Sequence, residues 1–339
     1  MNRTSDYEYV LPPELIAQSP VPRGASRLLI LNRESGDVTL GHFPDFLQYL
    51  REGDVLVVND TRVSARRYSA RLASGRRAEV LMLREHGDGI WEALVHPGRR
   101  MRPGDRLFLD VRCGCQVEAE VLDRTPEGGR LLSIDGDSGG LDLTRLGAVP
   151  LPPYIHEPLA EEERYQTVYA THTGSAAAPT AGLHFTEELL AETAKMGVQV
   201  AAVTLHVGVD TFRPIRSVDP ADHVMHGEQY VISPETAERI NNRRGRVVAV
   251  GTTVVRALES AAGPDGRVEP QDAVTHLFIG PGYRFRVVEA MLTNFHLPRT
   301  TLLVLVSAFA GREAVLNAYR RAVEARFRFY SFGDAMFVV

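Results

Sequence analysis

The sequence predicts an α/β main domain carrying an inserted all-β barrel domain, and three observations lead to that fold class. Between about residues 59 and 151 short apolar–polar alternations follow one another, separated by Gly, Pro and Asp turns, with no helical pattern between them. From Pro152 onward, buried-strand and helix patterns alternate. Strands of the same buried kind already occur in the first 58 residues, so the all-β block interrupts an α/β chain. The expected division is therefore 1–58 with 152–339 as one discontinuous α/β domain, and 59–151 as the barrel.

Taken in order, residues 1 to about 58 hold a loop, the strands "SRLLILNR" and "DVLVVND", and the short helix "FPDFLQYL". In the barrel, "YSARLA", "AEVLMLRE", "IWEALV", "DRLFLDV", "QVEAEVLDR" and "GRLLSIDG" carry the period of two that puts alternate side chains on one face. Beyond it, "VQVAAVTLHVG" and "GRVVAVGTT" read as strands buried on both faces. "TEELLAETAKMG", "SPETAERINNRR" and "GREAVLNAYRRAVEARF" read as amphipathic helices, and "RFRFYSFGDAMFVV" as apolar strands around a glycine turn. The most apolar run, "TLLVLVSAFA", is about half the ~20 residues a membrane span needs, so it reads as a buried helix.

A length of 339 residues suits one large or two ordinary domains, and a net charge of −5 argues against a general nucleic-acid binder while allowing a local basic face. The start lacks an apolar h-region, so no signal peptide is expected and the location is read as cytoplasmic. Cys113 and Cys115 form a lone C-x-C without a second pair, and are read as small core residues of a reduced protein. Lys195 is the sole lysine and sits at an ordinary helix end, which leaves Schiff-base or P-loop chemistry one poor candidate. H-E-x-x-H, G-x-G-x-x-G and the P-loop pattern are all missing, and no metal is expected.

Several stretches have the residue types that chemistry needs. "GSAAAPTAGLHFTEELL" delivers a run of small residues, including Ser175, Pro179, Thr180 and Gly182, into a helix start capped by Thr186. It is either a tight packing loop or a backbone shelf for a flat ligand, with His184 the one member able to move a proton. "ERYQTVYA" supplies Arg164, Tyr165, Gln166 and Tyr169, which either stack on and read a base or place their aromatics in the core. "VTLHVG" ends a strand in His206, where α/β sheets carry their sites. "MHGEQYVI" places His226 and Glu228 two apart, a proton-transfer pair or an exposed strand edge. In "VVAVGTTVVRALES", Thr252 or Thr253 is the expected helix cap, with Arg256 and Glu259 one turn in, as a phosphate or carboxylate cradle would have. "LTNFHLP" gives Asn294 and His296, and "SFGDAM" gives Asp334, a turn residue or a buried acid.

In chain order, "PPELIAQ", "GDVLVVNDTRV", "ERYQTVYA", "APTAGLHFT", "VTLHVG", "VGTTVVRALE", "PGYRF", "LTNFHLP" and "SFGDAM" make the chain resemble the S-adenosylmethionine:tRNA ribosyltransferase-isomerase family of queuosine biosynthesis, from about residue 8 to the C-terminus. The resemblance implies an α/β domain with an inserted β-barrel. It also implies S-adenosylmethionine as co-substrate, no metal, and tRNA carrying prequeuosine at the wobble position as partner. The ribosyl group would move to the base's aminomethyl group and rearrange, giving epoxyqueuosine with adenine and methionine leaving. The sequence departs from the family pattern in "SARR" after "NDTRV", at Ala176, at Val209–Asp210, at His276, and at Phe332 where a tyrosine is usual.

Such a reaction needs a base and an acid near neutrality. The pool is His184, His206, His226 and His296 with Glu228 and Asp334, and the sequence assigns no roles within it. The small-residue loop would suit adenine or the sugar, with Tyr165 or Tyr169 stacking on a base. Arg62, Arg66, Arg67 and Arg71 lie close together where the barrel begins, either to meet tRNA phosphates or as solvated strand faces. A monomer is expected. Two other classes are an S-adenosylmethionine-dependent tRNA methyltransferase, which would leave S-adenosylhomocysteine, and a non-catalytic RNA-binding module, which would bind without turnover.

Overall fold

Val55–Asn59 ("VLVVN") is buried at every residue, and in the computed structural model it is the fourth strand of a nine-stranded sheet. The structure describes residues 3–98, 101–112, 114–125, 128–134, 142–208 and 214–339. Across the sheet the order is Gln271–Thr275, Glu228–Ile232, Gln199–Leu205, Val55–Asn59, Val247–Val250, Ala290–Asn294, Ala335–Val338, Arg27–Leu31, Val38–His42. Gln199–Leu205, Val55–Asn59, Val247–Val250 and Ala290–Asn294 run parallel, so their carboxyl ends share one edge. Val55–Asn59, Val247–Val250 and Ala290–Asn294 are buried at every residue, so they do not alternate between apolar and exposed positions. One apolar layer against the sheet is built on Phe43, Phe46, Phe185 and Phe337, whose rings meet edge-to-face or stacked at 4.8–6.1 Å.

The chain divides into two compact units: Met1–Thr61 with Pro152–His172 and Ala178–Val339, and Arg62–Leu151 with Thr173–Ala177. The second unit holds a closed antiparallel barrel of six strands, each matching a segment that the alternation picked out. Gln116–Arg124 shows why: Val117, Ala119 and Val121 face the barrel core while Gln116, Glu118 and Glu120 face outward. The fold class is thus the expected one.

Local readings differ in places. Val38–His42, Gln271–Thr275 and Ala290–Asn294 are strands that the pattern did not suggest. The first two are short, largely exposed edge or near-edge strands, and the third, "AMLTN", owes its strand form to burial between neighbours rather than to β-branched residues. "RFRFY" is not a strand, because Arg326 and Tyr330 have φ of 53° and 72°. The helix Thr252–Ala261 is capped by neither threonine; Gly251, at φ 94°, is its N-cap. Thr186 does cap Glu187–Lys195, accepting from the Leu189 amide at 3.1 Å. Cys115 is exposed just after a turn at Gly114 rather than in the core, and Cys113 and Val209–Asp210 fall outside the described residues. Among the described residues no single helix is long and apolar enough to cross a membrane.

Candidate active site

At the shared carboxyl edge of the four parallel strands lies a cleft, the place where open α/β sheets carry their sites. Residues 178–181, 251–253 and 293–297 form three of its walls, with Tyr154, Val207, Thr300, Tyr330 and Ser331 completing it. All of these belong to the first unit.

Two helices begin at this cleft. Thr252–Ala261 starts with no side-chain cap, so its first backbone amides look for an acceptor outside the helix. Gly251 makes the sharp turn possible, its amide bonded to Leu292 O at 2.7 Å. Thr301–Ala310 starts beside it, capped by Thr300 Oγ1 accepting from the Leu303 amide at 3.3 Å. The wall is thus rich in hydroxyls and helix-start amides, an arrangement that favours a carboxylate or another anion.

Asn294 is the fixed point of the floor. Its Oδ1 accepts from Thr180 Oγ1 at 3.0 Å, and its Nδ2 donates to Tyr330 O at 3.3 Å and to His184 Nε2 at 3.2 Å. His184 Nε2 is therefore an acceptor, and the proton sits on Nδ1, which donates to Ser26 Oγ at 2.8 Å. Burial pushes the imidazole down to about 4, partly offset by the Asp334 carboxylate and reinforced by Arg23 and Arg328. His184 lies behind the cleft wall, neutral at pH 7, and orients Asn294.

This carries a sign for stability. A histidine whose pKa is about 4 folded and 6.5 unfolded favours the native state fully above pH 6.5. That contribution is lost as the pH falls from 6.5 to 4, reaching roughly 3 kcal/mol for a fully buried ring. We expect the urea midpoint of the wild type to fall more steeply over this window than that of His184→Gln. Parallel curves would show that His184 is not the titrating group.

The remaining acid–base candidates are dispersed. His296 stands at the cleft wall with Nε2 2.8 Å from Thr293 Oγ1, and burial pushes its ring down to about 3. Its carbonyl accepts from Tyr9 Oη at 2.6 Å and its amide donates to Tyr319 Oη at 2.9 Å, which locks the segment. His206 precedes the wall residue Val207 and pairs through Nδ1 with Thr61 Oγ1 at 2.8 Å. His226 is exposed on the approach to Glu228–Ile232. Glu228 is buried in an ion pair with Arg256 Nη1 and also accepts from the Gly208 amide at 3.0 Å. Asp334 accepts from the amides of Arg27 and Arg328 at 2.9 and 2.8 Å and from the Arg27 guanidinium at 3.0 Å. It clamps the sheet at Arg27–Leu31 rather than facing the cleft.

Of the expected binding residues, Pro179, Thr180, Thr252, Thr253 and Asn294 line the cleft. Gly182 lies beneath it, packed against the Tyr169 hydroxyl. Tyr165 and Gln166 are buried, Tyr165 with its ring edge-on to Phe332 at 5.8 Å. Arg164 bonds Val21 O and lines a separate shallow depression with Arg23, His184 and Phe332. Arg256 spends Nε on Leu277 O at 3.1 Å and Nη1 on Glu228, and Glu259 accepts from the amides of Arg286, Val287 and Val288 at 2.9–3.0 Å. Both side chains thus fasten the helix to neighbouring segments. Ser175 belongs to the second unit, bonding Ala177 O at 2.6 Å. Arg62, Arg66, Arg67 and Arg71 belong there too. Arg66 turns to Thr144 O and Arg67 to Leu151 O and Glu79, because neighbours on a strand face opposite ways.

The aromatic wall escaped the sequence reading. The Tyr154 and Tyr330 rings lie 4.7 Å apart at 47°, with Tyr154 Oη 2.6 Å from Ser331 Oγ. Tyr330 reaches the cleft because its φ is 72°, a conformation costly for a non-glycine residue and concentrated at functional sites. No periodic pattern reveals such a residue.

A family profile described as "Queuosine biosynthesis protein" matches residues 4–338. The chain belongs to this family. It is 53% identical over 344 residues to the S-adenosylmethionine:tRNA ribosyltransferase-isomerase of Symbiobacterium thermophilum, covering 99% of this chain and 100% of the relative. It is 52% identical over 345 residues to the protein of the same name from Moorella thermoacetica, again over 99% and 100%. The crystal structure of S-adenosylmethionine tRNA ribosyltransferase from Thermotoga maritima is 38% identical, with TM-score 0.56, covering 99% of this chain and 100% of that one. Family membership accounts for the sequence resemblance, and the relatives' names are those of transferases acting in queuosine biosynthesis.

Proposed function

We propose that this protein transfers the ribosyl part of S-adenosylmethionine to the aminomethyl group of a deazaguanine base, prequeuosine, at the tRNA wobble position. The sugar is isomerised in the process, giving epoxyqueuosine-tRNA with adenine and methionine. The carrying observation is the convergence of residues 178–181, 251–253 and 293–297 with Tyr154 and Tyr330 on one cleft. The relatives' names supply the reaction class.

The cleft suits each part of the co-substrate. The uncapped start of Thr252–Ala261 offers amides and a positive dipole end to the methionine carboxylate. Tyr154 and Tyr330 present ring faces to adenine, and the small residues 178–181 let a ribose lie against backbone. S-adenosylmethionine brings its own leaving group in the sulfonium; the protein's part is orientation and proton movement. In the barrel, Arg67 and Arg71 share strand parity and stand as the candidates for tRNA phosphates. We read the enzyme as a cytoplasmic monomer needing no metal.

The test incubates purified protein with S-adenosylmethionine and prequeuosine-containing tRNA. Adenine and methionine should appear in step with a new tRNA nucleoside of the epoxyqueuosine mass. S-adenosylhomocysteine instead would mean methyl transfer, and salt-sensitive tRNA binding without turnover would mean a binding module.

A further inference from the structure

A second cluster of titratable groups lies at the same carboxyl edge, built from a motif that the cleft does not use. "VVNDTRV" places Asp60 directly after the central strand Val55–Asn59, and His172 ends the segment Pro152–His172. His172 Nδ1 lies 3.1 Å from Asp60 Oδ2. Asp60 Oδ1 accepts from Thr204 Oγ1 at 2.6 Å, so both carboxylate oxygens are engaged and the group is held at 9% exposure. The backbone repeats the tie, with the amides of Thr171 and His172 donating to Asp60 O at 2.8 and 3.2 Å. Thr171 Oγ1 stands 3.0 Å from Nδ1, and Thr61 Oγ1 links the neighbourhood to His206.

A carboxylate accepts only, so Nδ1 carries the proton and the Nε2 lone pair is left for another partner. The His172 side chain is 63% exposed, and no described residue bonds Nε2. This separates it from His184 and His296, both buried, neutral and tied into the floor. It is the arrangement of a general base: one nitrogen fixed by an acid, the other turned outward. The cluster also adjoins the cleft. Asn59 Nδ2 reaches Thr253 Oγ1 of the wall at 3.4 Å, and the strand bearing Thr204 continues to Val207 of the same wall.

We propose that His172 is the base that deprotonates the incoming amine, with Asp60 as its positioning residue; this rests on the function proposed above. An aminomethyl group enters as an ammonium, which has no lone pair for attack, and on a tRNA it arrives from solvent. Nε2 of neutral His172 takes one proton: an N–H bond of the ammonium breaks, its electron pair stays on the amine nitrogen, and an N–H bond forms on the imidazole. The imidazolium is balanced by the Asp60 carboxylate, and no oxidant or reductant takes part.

The experiment compares wild type, His172→Ala, His172→Gln and Asp60→Asn in adenine release from prequeuosine-tRNA, with tRNA affinity and melting temperature measured alongside. Both His172 variants should lose about 100-fold or more in kcat, with the KM for S-adenosylmethionine, the tRNA Kd and the melting temperature unchanged. Added imidazole should restore turnover to His172→Ala and not to wild type. Asp60→Asn should lower kcat about 10-fold through the misplaced ring. Retention of wild-type kcat in His172→Ala, or a loss matched by the melting temperature and unmoved by imidazole, overturns the assignment while the function stands. A wild type that releases no adenine overturns both.

Discussion

Arg256→Ala should lower stability by about 3–5 kcal/mol, because it removes one member of a buried ion pair with Glu228. Both side chains are only 4% exposed, so water cannot take over the guanidinium's role. The damage should spread to the cleft: the pair ties Thr252–Ala261 to Glu228–Ile232, and the first turn of that helix lines the wall. A fall in melting temperature of about 5 °C should accompany weaker S-adenosylmethionine binding. The double variant Arg256→Met with Glu228→Leu separates pairing from ligand contact. With both charges removed it should recover most of the lost stability. Lost turnover in Arg256→Ala at an unchanged melting temperature would instead make Arg256 a ligand-binding residue.

Gly182→Ala should cost about 1–3 kcal/mol and displace the loop that carries Thr180. A Cβ on Gly182 would stand 2.0 Å from Tyr169 Oη, 2.8 Å from Thr167 Cγ2 and 3.0 Å from Tyr169 Cζ. The glycine is required by this approach and not by its backbone angles. The Tyr169 hydroxyl makes no hydrogen bond among the described residues, and burial holds its pKa well above the ordinary value. Tyr169→Phe should therefore be nearly silent alone, yet return about half of the loss in the double variant by removing the closest clash. Thermal unfolding of the four proteins reads this directly, and a purely additive cycle would refute it.

What the sequence disclosed depended on how far each feature is encoded locally. The six barrel strands were legible because period-two alternation is imposed residue by residue. Val55–Asn59 and Thr301–Ala310 were legible from unbroken apolar runs. Ala290–Asn294 was not, since its strand form comes from neighbours far along the chain. Thr180, Thr252, Thr253 and Asn294, small polar residues beside a helix start or a strand end, line the cleft. His184, Arg256 and Asp334 looked chemical by residue type, but their partners Asn294, Glu228 and Arg27 are distant in sequence and turn them into supports. Tyr154 and Tyr330 stayed hidden, because a positive φ in Tyr330 and a ring contact across 176 residues of chain leave no pattern. His172 reads as one more histidine until Asp60 is seen beside it.

The strand Ala335–Val338 lies between Ala290–Asn294 and Arg27–Leu31, well inside the sheet. Synthesis meets this arrangement in time as well as in space. The hairpin of Arg27–Leu31 and Val38–His42 is made early, but its inner neighbour leaves the ribosome only some 300 residues later, as the Arg27–Asp334 separation of 307 measures. Until then Arg27–Leu31 lacks its inner neighbour, a long-range pairing of the kind that forms slowly. Removing only the last five residues would therefore keep the nascent chain from closing its sheet, although none of them lines the cleft.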